Sequence, residues 1–427
     1  MQGKVKNIGF ISTRLQGTDG VTLETAKWVT ILEKNGYNCF FFAGQSDWDK
    51  EKTMVCPEAF FDHPTIKELQ KECFGKQKRP SQLTGEIHHL RLLLKEALYE
   101  FITTFAIDLI IPENALTIPM NIPLGTAITE LIAETGIPTI AHHHDFYWER
   151  QRFMVNCVPD FLSMAFPPTL PSIRHVVINT PADQQLSFRT GLSAMVIPNV
   201  IDFNSEPPGI DDFTKHFRED LGIKDDDLLI LQPTRVVARK GIEHAIEIVA
   251  RLNNPKAKLV ITHEAGDEGY SYQKRIESYA QIMGVDLILK PDLIGKVRGY
   301  TKDKKRVYSL WDAYPHADIV TYPSTYEGFG NALLEAIWFQ KPLLVNRYSI
   351  YEMDIEPLGF DVVAMDGYVT DQVVEDFRTV LEDKKTAQKM GKRNLEIAQR
   401  YFSYEVLEYK LKTLLLQIEG LDQTRLT

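Results

Sequence analysis

One pattern constrains this chain more than any other: short apolar runs alternate with helix-length amphipathic stretches, in two successive blocks of similar size. In the first block, residues 5–12 read as a strand, 14–20 as a polar glycine-bearing loop, and 21–34 as a helix closed by Gly36. A phenylalanine-rich strand follows at 38–43, then a helix at 83–105, a short buried strand at 109–112 and a helix at 123–135. A strand at 138–141 runs straight into three consecutive histidines. The second block repeats the scheme, with strands expected at 228–233, 258–262, 285–289, 319–322 and 341–346. Its helices are expected at 242–252, 271–283, 308–314 and 331–339. Such alternation predicts parallel sheets covered by helices on both faces. The fold class is therefore α/β, as two Rossmann-like parallel-sheet domains facing each other across a cleft. The first spans 1–203 and the second 204–395, joined at the linker-like Glu206-Pro207-Pro208-Gly209. A chain of 427 residues has the length for both. Open α/β sheets bind ligands beyond the carboxyl ends of their strands, so the residues just after strands carry the functional argument.

Composition supplies exclusions. Against 48 Lys and Arg stand 58 Asp and Glu, a net charge of −10 that argues against non-specific nucleic-acid binding. Local cations can still serve one small anionic ligand. No apolar run approaches the roughly 18 residues of a membrane span, and the first residues read as a strand, not a signal peptide. No stable membrane insertion is expected, and the location is expected to be cytoplasmic. Cys39, Cys56, Cys73 and Cys157 show no C-x-x-C spacing, which fits a reducing compartment and not a zinc site.

Four post-strand segments carry chemistry. From Tyr322 to Glu335 a strand gives way to the loop Glu327-Gly328-Phe329-Gly330 and a helix starting near Asn331. The glycines let the backbone approach a ligand, and the helix N-terminus favours a diphosphate or a polar sugar. Glu327 and Glu335 are spaced to grip two separate polyol units. In the segment Gln232 to Gly241, Arg235 and Lys240 can converge on one anion, with Arg239 as a spare, solvent-facing cation. The run His142-His143-His144-Asp145 lacks a second ligand cluster, so one histidine hydrogen-bonding a sugar hydroxyl is preferred to a metal site. Nearby Arg150 and Arg152 either meet an anionic acceptor or form surface pairs with Glu149. The first turn, Gly17-Thr18-Asp19-Gly20, is not G-x-G-x-x-G, so a nicotinamide fingerprint is poorly supported. Asp225-Asp226-Asp227 reads as a solvated loop.

Taken in order, these segments resemble the retaining GT-B glycosyltransferases of family 4. Glu327 and Glu335 reproduce that family's E-x7-E motif with Glu-Gly-Phe-Gly at its head. Arg235 and Lys240 match its R-x4-K pair, His144 its cleft histidine, and Asn199 its interdomain linker. Departures lie at Asp19-Gly20, where the family has Gly-Gly, at Val200 in the linker, and at Thr262-His263, where it often has glycine. The resemblance implies that Arg235 and Lys240 stabilise the departing diphosphate and that Glu335 binds the ribose. It implies that Glu327 and the amides of Phe329, Gly330 and Asn331 hold the transferred sugar, met by His144. Gly20 and Gly328 join this donor set, while Asp19, Asp145, Arg150 and Arg152 are the acceptor-side candidates. It also implies transfer with retention by front-face substitution, and a terminal helix within 396–427 that returns to the N-terminal domain.

The expected function is thus hexose transfer from GDP-mannose or UDP-glucose to a small, polar, soluble acceptor. Sucrose-phosphate-synthase-like and glycosylglycerate-type solute synthases are the near analogies. No cofactor is expected to be obligatory, and a divalent metal at most stimulatory. Expected partners are small molecules, with room for a homo-oligomer. Competing readings are transfer to a lipid or cell-envelope glycan, a phosphorylase, and a non-catalytic nucleotide-sugar-binding module.

Overall fold

Seven parallel strands make the first sheet: β1 (Asn7–Ser12), β2 (Asn38–Ala43), β3 (Thr53–Val55), β4 (Leu109–Pro112), β5 (Thr139–His143), β6 (Ile173–Val177) and β7 (Ala194–Val196). Their order is β3-β2-β1-β4-β5-β6-β7. Helices α1 (Gly20–Lys34), α2 (Pro64–Cys73), α3 (Ser81–Thr104) and α4 (Ile122–Thr135) fall among the first five strands. Both faces of the sheet are covered, which is why its strands read as unbroken apolar runs. Ile8, Phe10, Leu109 and Ile111 pack with Trp28 and Ile31 of α1. Ile11, Phe42 and Ile110 pack with Leu94 and Leu98 of α3 and Leu131 of α4. The computed structural model describes residues 5–17, 19–263, 270–295 and 297–424. Thr18, within the first βα turn, lies outside the described residues.

The second sheet has six parallel strands in the order β10-β9-β8-β14-β15-β16. They are β8 (Leu228–Gln232), β9 (Ala257–Ile261) and β10 (Asp286–Leu289), then β14 (Ile319–Tyr322), β15 (Leu343–Asn346) and β16 (Val363–Met365). Between them lies a small sheet of β11 (Ile294–Gly295), β12 (Gly299–Tyr300) and β13 (Arg306–Ser309), with β13 in the middle. This small sheet corrects the expectation of a helix over 308–314. Tyr308 is a buried strand residue whose hydroxyl donates to Asp220 at 2.6 Å, and helix begins only at Leu310.

Chain contacts divide the protein into Met1–Val200 with Tyr404–Thr427, and Ile201–Ser403. The expected boundaries were 203/204 and 395/396; the later crossing comes 8 residues further on, because the helix Lys384–Tyr401 continues unbroken within the second unit. Its Asn394 exchanges two 2.7 Å hydrogen bonds with the backbone of Asp361. The last helix, Tyr404–Thr424, belongs to the first unit, where Leu407, Leu411, Leu414 and Leu415 are buried in the α1-side core. Lys410 Nζ donates to the Val196 carbonyl at the end of β7, 2.7 Å away.

Both sheets reverse direction at the same kind of place. In the first, β2 and β3 build outward on one side of β1 and β4 on the other; in the second, β9 and β10 build on one side of β8 and β14 on the other. Each reversal opens a crevice at the carboxyl ends of two neighbouring strands, where such folds bind ligands.

Candidate functional site

In the second unit, the loops leaving β8 and β14 are tied together at the reversal point. The backbone amide and hydroxyl of Thr325 both donate to the Arg239 carbonyl, at 2.8 and 3.1 Å. Gly241 (φ 58°) and Gly330 (φ 128°) occupy backbone conformations that side-chain-bearing residues avoid. A Cβ on Gly241 would lie 2.3 Å from the Pro323 carbonyl oxygen, and one on Gly330 2.6 Å from the Tyr348 hydroxyl. That hydroxyl donates to the Phe329 carbonyl at 2.7 Å. The loop 327–330 is therefore pinned just ahead of the helix Asn331–Trp338, whose N-terminal dipole favours negative charge.

Glu327 is buried in this loop with only 7% exposure. Lys240 Nζ donates to one of its oxygens, and Arg239 donates to the other at 2.9 Å. Burial alone would raise the carboxyl pKa, but the Lys240 and Arg239 charges outweigh it and hold Glu327 ionised. Arg239 is thus not the spare, solvent-facing cation expected from the sequence. It also donates to the Tyr326 carbonyl at 3.1 Å, clamping the Glu327 loop. Burial lowers the Lys240 pKa, and the nearby charges of Arg239 and Arg235 add to that. Burial, reinforced by the charges of Arg235 and Lys240, brings His263 down to about 4, so this imidazole is neutral near pH 7. Arg235, Arg239 and Lys240 against one carboxylate leave the crevice positive, a setting for a diphosphate. Glu335, on the helix, accepts from the buried Tyr314 hydroxyl at 2.9 Å and from the Trp311 indole at 3.4 Å. The two glutamates therefore have different surroundings: one locked between cations, the other held by aromatic donors.

In the first unit, the run at the end of β5 builds a second polar cluster. Its missing member in the sequence reading is Glu113, immediately after β4 and fully buried. The parallel register sets Glu113 opposite His142. His142 Nδ1–H and His144 Nε2–H donate to the same Glu113 oxygen, at 2.9 and 3.3 Å. Burial opposes the charge on Glu113, but the two imidazoles overcome it and lower its pKa. Burial likewise opposes a charge on His144, and hydrogen bonding and attraction to Glu113 overcome that too, raising its pKa. His142 stacks on Trp28, with ring centres 4.2 Å apart. His143 points elsewhere, between the Thr117 hydroxyl at 2.5 Å and His175 at 2.9 Å.

Glu113, His142 and His144 also form the one set among the described residues whose ligand atoms, all within 4.8 Å of one another, could hold a metal. The sequence offered no second ligand cluster; the neighbouring strand supplies that carboxylate. One oxygen of Glu113 and Nε2 of His142 are buried without a hydrogen-bond partner, so the set retains ligand capacity.

Other candidates fall into place around these clusters. Asp19 caps α1, accepting from the amides of Val21 and Thr22 at 3.1 and 3.2 Å and from Arg14 at 3.0 Å. Gly20 is the first residue of that helix. Arg150 pairs with Asp145, not with Glu149, whose carboxylate instead accepts from the Phe146 amide at 3.2 Å. Asp145 also accepts from the Asn114 side chain at 3.2 Å. Arg152 has a different environment, its guanidinium against the Met120 sulfur and the Phe153 ring.

Residues 213–396 match the family described as Glycosyl transferases group 1. A mannosylglucosylglycerate synthase of Petrotoga mobilis is 33% identical, over 84% of this chain and 86% of that protein. Its counterpart in Thermotoga maritima is 30% identical, over 91% of this chain and 95% of that protein. Among solved structures, a sucrose-phosphate synthase of Thermosynechococcus elongatus superposes with a TM-score of 0.65 at 15% identity, covering 97% of this chain and 99% of that one. No helix among the described residues is long and apolar enough to cross a membrane.

Proposed function

The chain belongs to the group 1 glycosyl transferases, and from that premise we propose that it moves mannose from GDP-mannose onto a glucosylglycerate, with retention of configuration. The observation that carries the reading is the match, at 33% and 30% identity and over most of both partners' lengths, to two mannosylglucosylglycerate synthases. The tethered loops after β8 and β14 support it, because they supply a cationic crevice next to a buried, ionised glutamate.

In this reading the diphosphate of the donor lies against Arg235 and Lys240. Both strengthen their contacts as negative charge builds on the departing oxygen. Each is expected to contribute about 2–4 kcal/mol of transition-state stabilisation. Glu335 takes the ribose hydroxyls. Glu327, oriented by Lys240 and Arg239, faces the transferred sugar, and His144 meets that sugar from the first unit. Gly20, Gly328, Phe329, Gly330 and Asn331 complete the donor contacts. The acceptor hydroxyl oxygen forms its bond to the anomeric carbon on the face from which the diphosphate oxygen leaves. Its proton passes to that diphosphate oxygen, so no carboxylate nucleophile is needed, and the protein acts by positioning and electrostatics.

The test is to incubate the purified protein with GDP-mannose or UDP-glucose and with glucosylglycerate, a sugar phosphate, or a lipid-linked glycan, and to weigh the products. GDP-mannose with glucosylglycerate should give the mannosylated product. A product only from UDP-glucose, or only on the lipid-linked glycan, would refute the assignment.

A further inference from the structure

A cavity of about 530 Å³ lies in the first unit, lined by Phe61, Gln70, Phe74, Met120, Arg152 and Phe153 among others. Its residues come from the segments that follow successive strands: Phe61 after β3, Met120 after β4, Arg152 and Phe153 after β5, with Gln70 on α2. That volume is within the range of small-molecule sites. Phe61, Phe74 and Phe153 share the wall with Lys67, Lys71, Asp62 and Arg152, and flat aromatic faces suit the C–H faces of a sugar ring.

The charges around the cavity are mostly neutralised. Lys67 pairs with Asp62 at 2.9 Å, and Lys71 with Glu68 at 2.6 Å. Arg150, two residues before Arg152, is paired with Asp145. Arg152 is the exception: among the described residues no carboxylate lies within ion-pair distance of it. Its guanidinium is 2.8 Å from the Met120 sulfur and 4.5 Å from the Phe153 ring centre. These contacts hold the planar fork without an ion-pair partner, and Asp145 acts on it only at longer range. Met120 is itself held, since Gln70 donates to the neighbouring Pro119 carbonyl at 2.6 Å.

From this juxtaposition we infer that the cavity is an acceptor subsite in which Arg152 reads a carboxylate, the acid end of a glycoside of glyceric acid. The inference rests on the proposed function and deepens it, separating Arg152 from Arg150 as the specificity residue. A carboxylate fits better than a phosphate. One guanidinium presents two parallel N–H donors, which match a singly charged carboxylate. A phosphate monoester approaches two negative charges, and here it would find the remaining lysines already paired and Asp62 on the wall.

The experiment compares acceptors in the wild type, Arg152→Gln and Arg152→Lys with GDP-mannose as donor. The acceptors are glucosylglycerate and glucosylglycerol, which lacks the carboxylate. The readout is the ratio of kcat/KM for the acid over the alcohol, with thermal melting as a check on folding. The wild type should prefer the acid, and Arg152→Gln should lower the ratio roughly 10- to 100-fold. Most of that change should enter through the KM for the acid, with the KM for GDP-mannose little affected. Arg152→Lys should be intermediate, because it keeps the charge and loses the fork. A folded Arg152→Gln with the wild-type ratio, or one that loses both acceptors equally, would overturn the inference while leaving the proposed function standing. Absence of transfer by the wild type to glucosylglycerate would instead overturn the proposed function.

Discussion

The two glutamates of the E-x7-E pair make the sharpest contrast at the scale of single residues. Glu335 is held by Tyr314 and Trp311, and in the proposed reading it grips the non-reacting ribose. A contact that is equal in ground and transition states raises KM when lost and leaves kcat nearly intact. Glu327 is locked by Lys240 and Arg239, and in the proposed reading it faces the sugar, where positive charge develops as the bond breaks. Glu327→Gln should therefore mainly lower kcat, and Glu335→Gln should mainly raise the donor KM. Steady-state kinetics at saturating acceptor decide it; the reverse pattern would turn the donor end for end. The candidates Glu327, Glu335, Arg235 and Lys240 were legible because short motifs carry them. The clamp by Arg239 was not, because its partner Glu327 is 88 residues away and the pairing of β8 with β14, with the Thr325 tether, brings the two loops together.

Among elements, most strands were legible because burial on both faces writes them as unbroken apolar runs, as in Leu109–Pro112. Tyr308 was misread since its strand is held by the short partners Ile294–Gly295 and Gly299–Tyr300, which leave no periodic trace. Glu113 was invisible for a related reason: 29 residues separate it from His142, and strand register alone aligns them. Two predictions belong at this scale. With both imidazoles donating to Glu113, the trio is already joined by hydrogen bonds, so transfer should persist after dialysis against EDTA. Loss restored only by a divalent ion would assign Glu113, His142 and His144 to a metal.

The second concerns the adjoining pair His143 and His175. Burial, with the Arg174 charge, lowers His175 from 6.5 to about 4. Between those values the unfolded chain takes up a proton that the folded chain does not. Stability is thus full above pH 6.5, falls as the pH drops toward 4, and is lost by about 3 kcal/mol at most from this group. Melting temperatures over that range should fall less steeply in His175→Asn than in the wild type. Parallel slopes would contradict the assignment.

For the whole molecule, each unit gathers its candidate site residues beyond the carboxyl ends of its strands, after β8 and β14 in the second and after β4 and β5 in the first. The second unit offers the cationic crevice and the first offers the histidine cluster and a cavity of mixed aromatic and charged lining. Two-sheet organisation was legible from the alternation, whereas the 530 Å³ cavity was not, since it gathers side chains from the segments that follow three strands and from α2. The central claim is mannosyl transfer with retention of configuration, and the anomeric configuration of the product tests it most directly. The donor GDP-mannose is an α-mannoside, so the product made on glucosylglycerate should carry an α-mannosyl linkage, read from the one-bond carbon–proton coupling at its anomeric centre. A β-mannosyl product would mean inversion, and would contradict the account.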